Sequence, residues 1–233
     1  MREDIKRYYR ERLNNTKGKN TLWQVGKTVN GKEITDEQVN LIVATIAKRL
    51  NIQKTDFVLD IGCGNGLLTK KISGYVSEIV GLELTLELFD VSNLISRADN
   101  ITYINSDIFD FDINSHKKSF DKIYLYEVIQ HIDYKDADDF FSKLNDIAGE
   151  NTSIFIGGVL DIEKKWSFFD SFERRCDYFS GIISGRNPLG TWYHKDFLKY
   201  LGKKYNFEAI CFSQEESLYT AHYRFDCLLN RIR

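Results

Sequence analysis

The sequence predicts an α/β fold: a doubly wound, seven-stranded sheet, mostly parallel, with helices on both faces and one antiparallel strand in a C-terminal hairpin. Three observations carry this. Short apolar runs at 57–61 (FVLDI), 78–84 (EIVGLEL), 101–104 (ITYI), 122–126 (KIYLY) and 153–159 (SIFIGGV) alternate with helical patterns, which is the rhythm of βαβ units. The last two runs, 207–212 (FEAICF) and 219–229 (YTAHYRFDCLL), are separated only by 213–218. That is too short for the crossover parallel strands need, so they pair as a hairpin. Finally, 233 residues with no repeat, no low-complexity tract and a single proline, Pro188, are enough for one large domain that buries roughly 70% of its unfolded surface.

Along the chain, residues 1–34 are polar and irregular, with a turn-like Asn30-Gly31 and an aromatic at Trp23. They read as an arm laid over the active site of a domain spanning 35–233. Thr35 and Gln38 have capping-box spacing, and Val39, Ile42, Val43, Ile46 and Leu50 share one helical face, so a helix runs from Thr35 to about Asn51. The mixture of 42% hydrophobic and 28% charged residues excludes a disordered or fibrous chain. The charged N-terminus has no apolar h-region, and no stretch reaches the roughly 18 apolar residues of a membrane span; a cytoplasmic protein without membrane contact is expected. Cys63, Cys176, Cys211 and Cys227 form no C-x-x-C pair, which argues for reduced thiols and against zinc. A net charge of −2 supplies no basic field for a polyanion.

The segment that carries chemistry is VLDIGCGNGLLTKKI at 58–72. A strand runs into three glycines and then a helical pattern, so backbone can approach a ligand closely and a nucleotide-like ligand is implied. About 20 residues on, Gly81-Leu82-Glu83 ends the second strand with an acid placed to hold a ribose diol. A dinucleotide fold would show G-x-G-x-x-G, whereas this loop reads G-C-G-N-G followed by Leu67-Leu68.

With these motifs in order, the sequence resembles the class I S-adenosylmethionine-dependent methyltransferases, by motif over about residues 55–160 and by topology through the final hairpin. The resemblance implies a Rossmann-like sheet, S-adenosyl-L-methionine as cofactor and S-adenosyl-L-homocysteine as product. It assigns Asp60, Gly62, Cys63, Gly64 and Gly66 to the methionyl end of the cofactor, and Glu83, with Leu84, to the ribose. Asp107 and Ile108 would serve the adenine amino group and ring. Tyr126-Glu127-Val128-Ile129-Gln130-His131-Ile132 is similar to the family segment that closes the methyl-transfer site, and Tyr126 is included among the cofactor contacts. A non-catalytic subunit on the same fold stays open as an alternative, although such a subunit need not keep the loop and both acids.

For the methyl acceptor, the absence of proline in Tyr126-Glu127-Val128 and of a cysteine nucleophile beside proline disfavours DNA bases; RNA or protein remains an alternative. Specificity is expected from residues 22–28 and from an aromatic-rich insertion at about 161–195. Trp23, Lys27, Arg174, Arg175 and Trp192 are candidate substrate contacts, the cations for an anionic group. The insertion's aromatics form either a lid or a stripe packed on the sheet. Q-V-G-K-T-V-N-G looks like a segment of small bacterial methyltransferases of cell-surface polysaccharides, including those making an O-methyl phosphoramidate group. An oxygen acceptor on a sugar or phosphorylated small molecule is therefore expected. A neutral hydroxyl needs a base, for which His131, His194 and Tyr193 are the candidates, whereas an anionic oxygen needs none. No metal is expected; only Glu127 with Asp161 resembles a ligand pair.

Overall fold

The computed structural model describes residues 2–16, 21–113 and 119–232; residues 17–20 of the N-terminal segment lie outside this range. In chain order the elements are α1 (Arg2–Thr16), α2 (Thr21–Gln24), β1 (Thr28–Val29), β2 (Lys32–Glu33), α3 (Asp36–Leu50), β3 (Phe57–Ile61), α4 (Leu67–Ser73), β4 (Glu78–Glu83) and α5 (Leu86–Ile95). They continue as β5 (Ile101–Asn105), β6 (Phe120–Tyr126), α6 (Ala137–Ile147), β7 (Ala148–Leu160), α7 (Lys165–Phe168), α8 (Phe172–Ile183), α9 (Lys195–Lys204), β8 (Phe207–Ser213) and β9 (Arg224–Arg231). No helix among the described residues is long and apolar enough to cross a membrane.

The main sheet has the order β5-β4-β3-β6-β7-β9-β8. β9 runs antiparallel to both β7 and β8, and the other pairs are parallel, so one strand is reversed, as the short connection required. Alternation decides which side chain faces which layer. Leu59, Ile61, Ile123, Leu125, Ile154 and Ile156 join a core with Phe140, Phe141 and Leu144 of α6 and Leu198 and Leu201 of α9. Val58, Tyr124, Tyr126 and Phe155 point the other way, into a second core with Val39, Ile42, Ile46 and Leu50 of α3. Strands buried on both faces read as continuous apolar runs, which is why FVLDI and KIYLY were visible in the sequence.

α3 begins where its capping residues place it: Thr35 accepts from the Gln38 N–H at 3.4 Å, and Asn51, at φ 49°, closes the helix in the left-handed region. Two elements differ from the sequence reading. Residues 2–16 are helical, not irregular. α1 is mostly polar, with only Ile5, Tyr8, Tyr9 and Leu13 at helical spacing and none of them fully buried; it is tied down by the Arg10–Glu87 ion pair at 2.5 Å and by Arg12 donating to the Trp23 carbonyl. In addition, β9 starts at Arg224 because 218–223 makes turns: Ala221 N–H donates to Leu218 O, Tyr223 N–H to Thr220 O, and the fully buried Thr220 hydroxyl to Gln214 Oε1 at 2.6 Å. Asn30 and Gly31, at φ 49° and 73°, form the two-residue turn of the small β1–β2 hairpin.

Leu144 is fully buried in the α6 layer. Leu144→Ala should cost about 2–5 kcal/mol, read as a lower urea midpoint at an unchanged denaturant slope; a loss within experimental error would show that this layer does not hold α6.

Candidate active site

β3, β4 and β5 end in line. The parallel register sets Ile61 beside Leu82 and Glu83 beside Asn105, so the loop after β3, the end of β4 and the segment after β5 share one edge. On the other side of β3 the chain order reverses to β6, which makes this edge the switch point where ligands of open α/β sheets bind.

The loop needs its glycines. Gly62, Gly64 and Gly66 have φ of 71°, 59° and 77°. A Cβ would lie 2.6 Å from Val128 Cγ2 at Gly62 and 2.3 Å from the Tyr103 hydroxyl at Gly66. The N–H groups of Gly62 and Cys63 both donate to Leu82 O, stapling the loop to β4. Asp60, 3% exposed, accepts from the Thr69 and Tyr124 hydroxyls at 2.6 Å, both at Oδ2, which leaves Oδ1 without a partner among the described residues. Burial raises its pKa to about 7, against the lowering effect of those two hydroxyls. Asp60 thus braces the loop against α4.

Glu83, 6% exposed, accepts from Gly64 N–H at 2.9 Å and Thr85 N–H at 2.8 Å. Burial raises its pKa, and the backbone donors oppose that rise. Its own carbonyl accepts from the Asn105 side chain and Ser106 N–H, which fixes where β5 turns into Asp107. Asp107 Oδ1 accepts from Phe109 N–H at 3.0 Å, Ile108 is buried in the core and Leu84 is half-buried beside Glu83. The Cys63 thiol is buried, and that burial pushes its pKa well up, so it is no nucleophile. A glycine-rich cradle with one carboxylate at the end of β4 and another after β5 has the chemistry to take a nucleoside, with a diol at Glu83 and an exocyclic amine at Asp107.

Beyond β6 lies a second group that the sequence reading did not assemble. Glu127 sits at φ 58°, a left-handed conformation that costs a non-glycine residue of order 1–3 kcal/mol. It is held there by the Glu127 N–H bond to Gly157 O and by its carboxylate: Oε2 binds the Lys27 ammonium at 2.5 Å, Oε1 accepts from the Tyr219 hydroxyl at 3.2 Å, and Arg224 Nε lies 4.0 Å away. Burial tends to raise the Glu127 pKa, but the Lys27 and Arg224 charges hold it below the usual range; burial lowers that of Lys27, partly countered by Glu127. The Lys27 ammonium also lies 4.6 Å over the Tyr126 ring, whose hydroxyl accepts from Gln214. The heptapeptide around Glu127 was noticed for His131; the backbone twist that aims Glu127, and Arg224 arriving from the far end of the chain, left no local signal.

His131 follows in a short 3₁₀ turn, with Nε2 3.2 Å from the Tyr9 hydroxyl of α1. Burial first, then Arg224, lowers its pKa to about 4, with Glu127 opposing; it is neutral at pH 7. The other candidate bases are placed differently. Tyr193 is fully buried and donates to Ile132 O at 2.5 Å, and burial pushes its pKa far up. His194 is exposed at the start of α9, its N–H donating to the Tyr134 hydroxyl.

Arg174 and Arg175 are not joined to Lys27 by any described contact. Arg174 pairs with Asp170 and lies over Phe168; Arg175 donates to Phe169 O. The insertion's aromatics pack on one another: Phe169 and Trp192 are buried with Leu160 and Tyr223, with Phe168 and Tyr178 against them, while Phe172 is 77% exposed. Trp23 is half-buried, with Arg12 over its ring at 5.0 Å and its N–H donating to Glu33. Asp161 binds Lys195 at 2.7 Å while Glu127 binds Lys27, so the ligand-like pair is spent on lysines; no group of three potential metal ligands occurs among the described residues.

Fold and loop together define the class I S-adenosylmethionine-dependent methyltransferase fold. The family described as ribosomal RNA adenine dimethylase matches residues 34–157, just over half of the chain, and the chain belongs to that family. It is 26% identical over 168 residues to an rRNA adenine N-6-methyltransferase of Bacteroides fragilis, covering 72% of this chain and 54% of that protein. It is also 28% identical over 155 residues to the mitochondrial ubiquinone biosynthesis O-methyltransferase of Dictyostelium discoideum, covering 61% and 45%. The chain thus spans about half the length of the curated relatives it matches. Among solved structures, magnesium protoporphyrin IX methyltransferase from Synechocystis PCC 6803 with bound S-adenosylhomocysteine superposes with a TM-score of 0.67 at 13% identity, covering 99% of this chain and 100% of that one.

Two outcomes are expected. Glu83→Ala removes a buried acceptor of charge-assisted hydrogen bonds worth about 1.5–3 kcal/mol, so S-adenosylhomocysteine should bind roughly 10- to 100-fold more weakly by calorimetry; an unchanged affinity removes Glu83 from the ribose. The second concerns pH. Because the folded pKa of His131, about 4, lies below its ordinary value near 6.5, the unfolded chain binds the extra proton between those limits. The stabilising contribution is therefore complete above pH 6.5 and lost as pH falls towards 4, about 3–4 kcal/mol in all. Denaturation at pH 7 and pH 5 should show wild type losing more stability than His131→Gln; equal losses would refute a buried neutral imidazole.

Proposed function

We propose that the chain transfers the methyl group of S-adenosylmethionine to an oxygen of a small acceptor, a sugar or a phosphorylated metabolite. The observation that carries this reading is the cover over the cleft. α1 is pinned at one end of the site by Arg10 on Glu87 of α5, just past Glu83, and at the other by Tyr9 on His131 after β6. The next segment packs on the glycine loop itself, with Val25 against Gly64 and the Asn65 amide donating to Thr21 O and Gln24 Oε1. A roofed mouth admits a small molecule more readily than a folded polynucleotide, and residues 1–34 then act as the arm over the active site.

In this reading Glu83 holds the ribose hydroxyls, Asp107 and Ile108 the adenine, and Asp60 with the loop backbone the methionyl end. The cofactor supplies an activated methyl group on its sulfonium; the protein's part is positioning and exclusion of water. A histidine held at a pKa near 4 is poorly matched to deprotonating a neutral hydroxyl. An acceptor oxygen already anionic at neutral pH needs no base, and that is the acceptor this reading favours. The segment Q-V-G-K-T-V-N-G contributes Lys27 to the same mouth, in keeping with a cell-surface polysaccharide or O-methyl phosphoramidate type of acceptor.

The family match favours a second reading, methylation of adenine in ribosomal RNA. Against it, the turn after β6 reads Tyr126-Glu127-Val128 and carries a carboxylate locked to Lys27. Release of S-adenosylhomocysteine should be measured with a panel of phosphorylated metabolites and nucleotide sugars beside ribosomal RNA. Turnover with a member of the panel and none with RNA is expected; turnover with RNA alone would replace this reading by the second.

A further inference from the structure

The cluster around Glu127 is short of negative charge. Lys27 and Arg224, 4% and 5% exposed, share one carboxylate. The nearby acids are engaged elsewhere: Asp226 accepts from Gly158 N–H at 2.8 Å and the Gln214 amide at 2.9 Å, and Asp60 from Thr69 and Tyr124. Both Glu127 oxygens are already taken, Oε2 by Lys27 and Oε1 by Tyr219. Arg224 Nη1 donates to Gln130 Oε1 at 2.8 Å and to Gly158 O, but its Nε is buried without a hydrogen-bond partner. Burying an incompletely paired charge is costly, and a guanidinium edge is shaped to take two oxygens of one anion.

The cluster is also built rather than incidental. Glu127 is held in a left-handed conformation, and the facing wall is Gly158, where a Cβ would lie 2.7 Å from Glu127 Cγ. It lies at the end of β6, against the Gly158 stretch of β7 and the start of β9, across the switch point from the Glu83 side of the cleft.

We propose that Lys27 and Arg224, spaced by Glu127, form an anion subsite that takes the phosphate or carboxylate group of the methyl acceptor. This rests on the small-acceptor reading and adds to it the chemical class of the acceptor and the residues that select it. Arg224, which also bonds the Tyr223 side chain, supplies the unpartnered Nε–H, Lys27 a point charge, and Glu127 keeps the two cations in place.

The test uses inorganic phosphate as probe and needs neither turnover nor an identified acceptor. Phosphate is titrated calorimetrically into the full-length protein saturated with S-adenosylhomocysteine, for wild type, Lys27→Met and Arg224→Lys. Wild type should bind it, and both variants should bind at least about ten-fold more weakly, with the S-adenosylhomocysteine affinity of Arg224→Lys within about two-fold of wild type. If Arg224→Lys fails to fold, as its circular dichroism would show, Lys27→Met decides. Phosphate that binds only the unloaded protein and is expelled by S-adenosylhomocysteine would assign the cations to the cofactor's own carboxylate and overturn the proposal. Equal binding by all three proteins would mark an adventitious ion only, and no binding by wild type would abolish the subsite. An acceptor found to be an uncharged small molecule would also overturn it while leaving the small-acceptor reading intact.

Discussion

The parallel pairing of β3 with β4 on one side and β6 on the other governs the whole site. It brings three strand ends to one edge, so that the loop after Ile61, Glu83 and the turn at Glu127 lie side by side although they are far apart in sequence. Parallel strands need crossovers, so the helices that bury both faces of the sheet are the same segments that return the chain to this edge. Packing and function thus share a cause: an apolar β3, flanked by β4 and the central β6, leaves its carboxyl end, and the ligand loop, at the switch point.

What the sheet places at that edge is electrostatically demanding. Asp60, Glu83, Lys27, Glu127 and Arg224 are all buried or nearly so, and each is sustained by specific partners: hydroxyls at Asp60, backbone N–H groups at Glu83, and opposite charges at Glu127. The partners differ in consequence. Two hydroxyls cannot offset the burial of Asp60, whose pKa climbs to about 7, whereas two cations hold Glu127 ionised despite equally deep burial. One edge of the sheet therefore carries a carboxylate whose pKa is pushed up beside one whose pKa is held down.

The N-terminal segment shows how a polar helix can belong to a core function. α1 contributes no buried apolar stripe; its hold on the domain is an ion pair to Glu87, an arginine on the Trp23 backbone and one tyrosine on His131. Contacts of this kind contribute little individually at a surface.

The sequence by itself determined the sheet and where the glycine loop and the acid after it fall on its edge. Apolar runs buried on both faces, a glycine loop whose left-handed backbone only glycine supplies cheaply, and an acid one strand further on are all local patterns, legible because each is set by residues within a few positions of one another. The α3 boundaries at Thr35 and Asn51 were legible for the same reason. Helicity in 2–16 was not, because its few apolar residues are spread thinly among charges and the ion pair that ties the helix down reaches a distant element. The cluster around Glu127 was decided by tertiary structure alone. Tyr193 is a core residue, and Arg174 and Arg175 face other partners; Arg224, the cation that meets Glu127 beside Lys27, comes from the reversed strand almost a hundred residues after Glu127. Charge complementarity between residues so far apart depends on where the folded strands end, and no spacing in the chain encodes it.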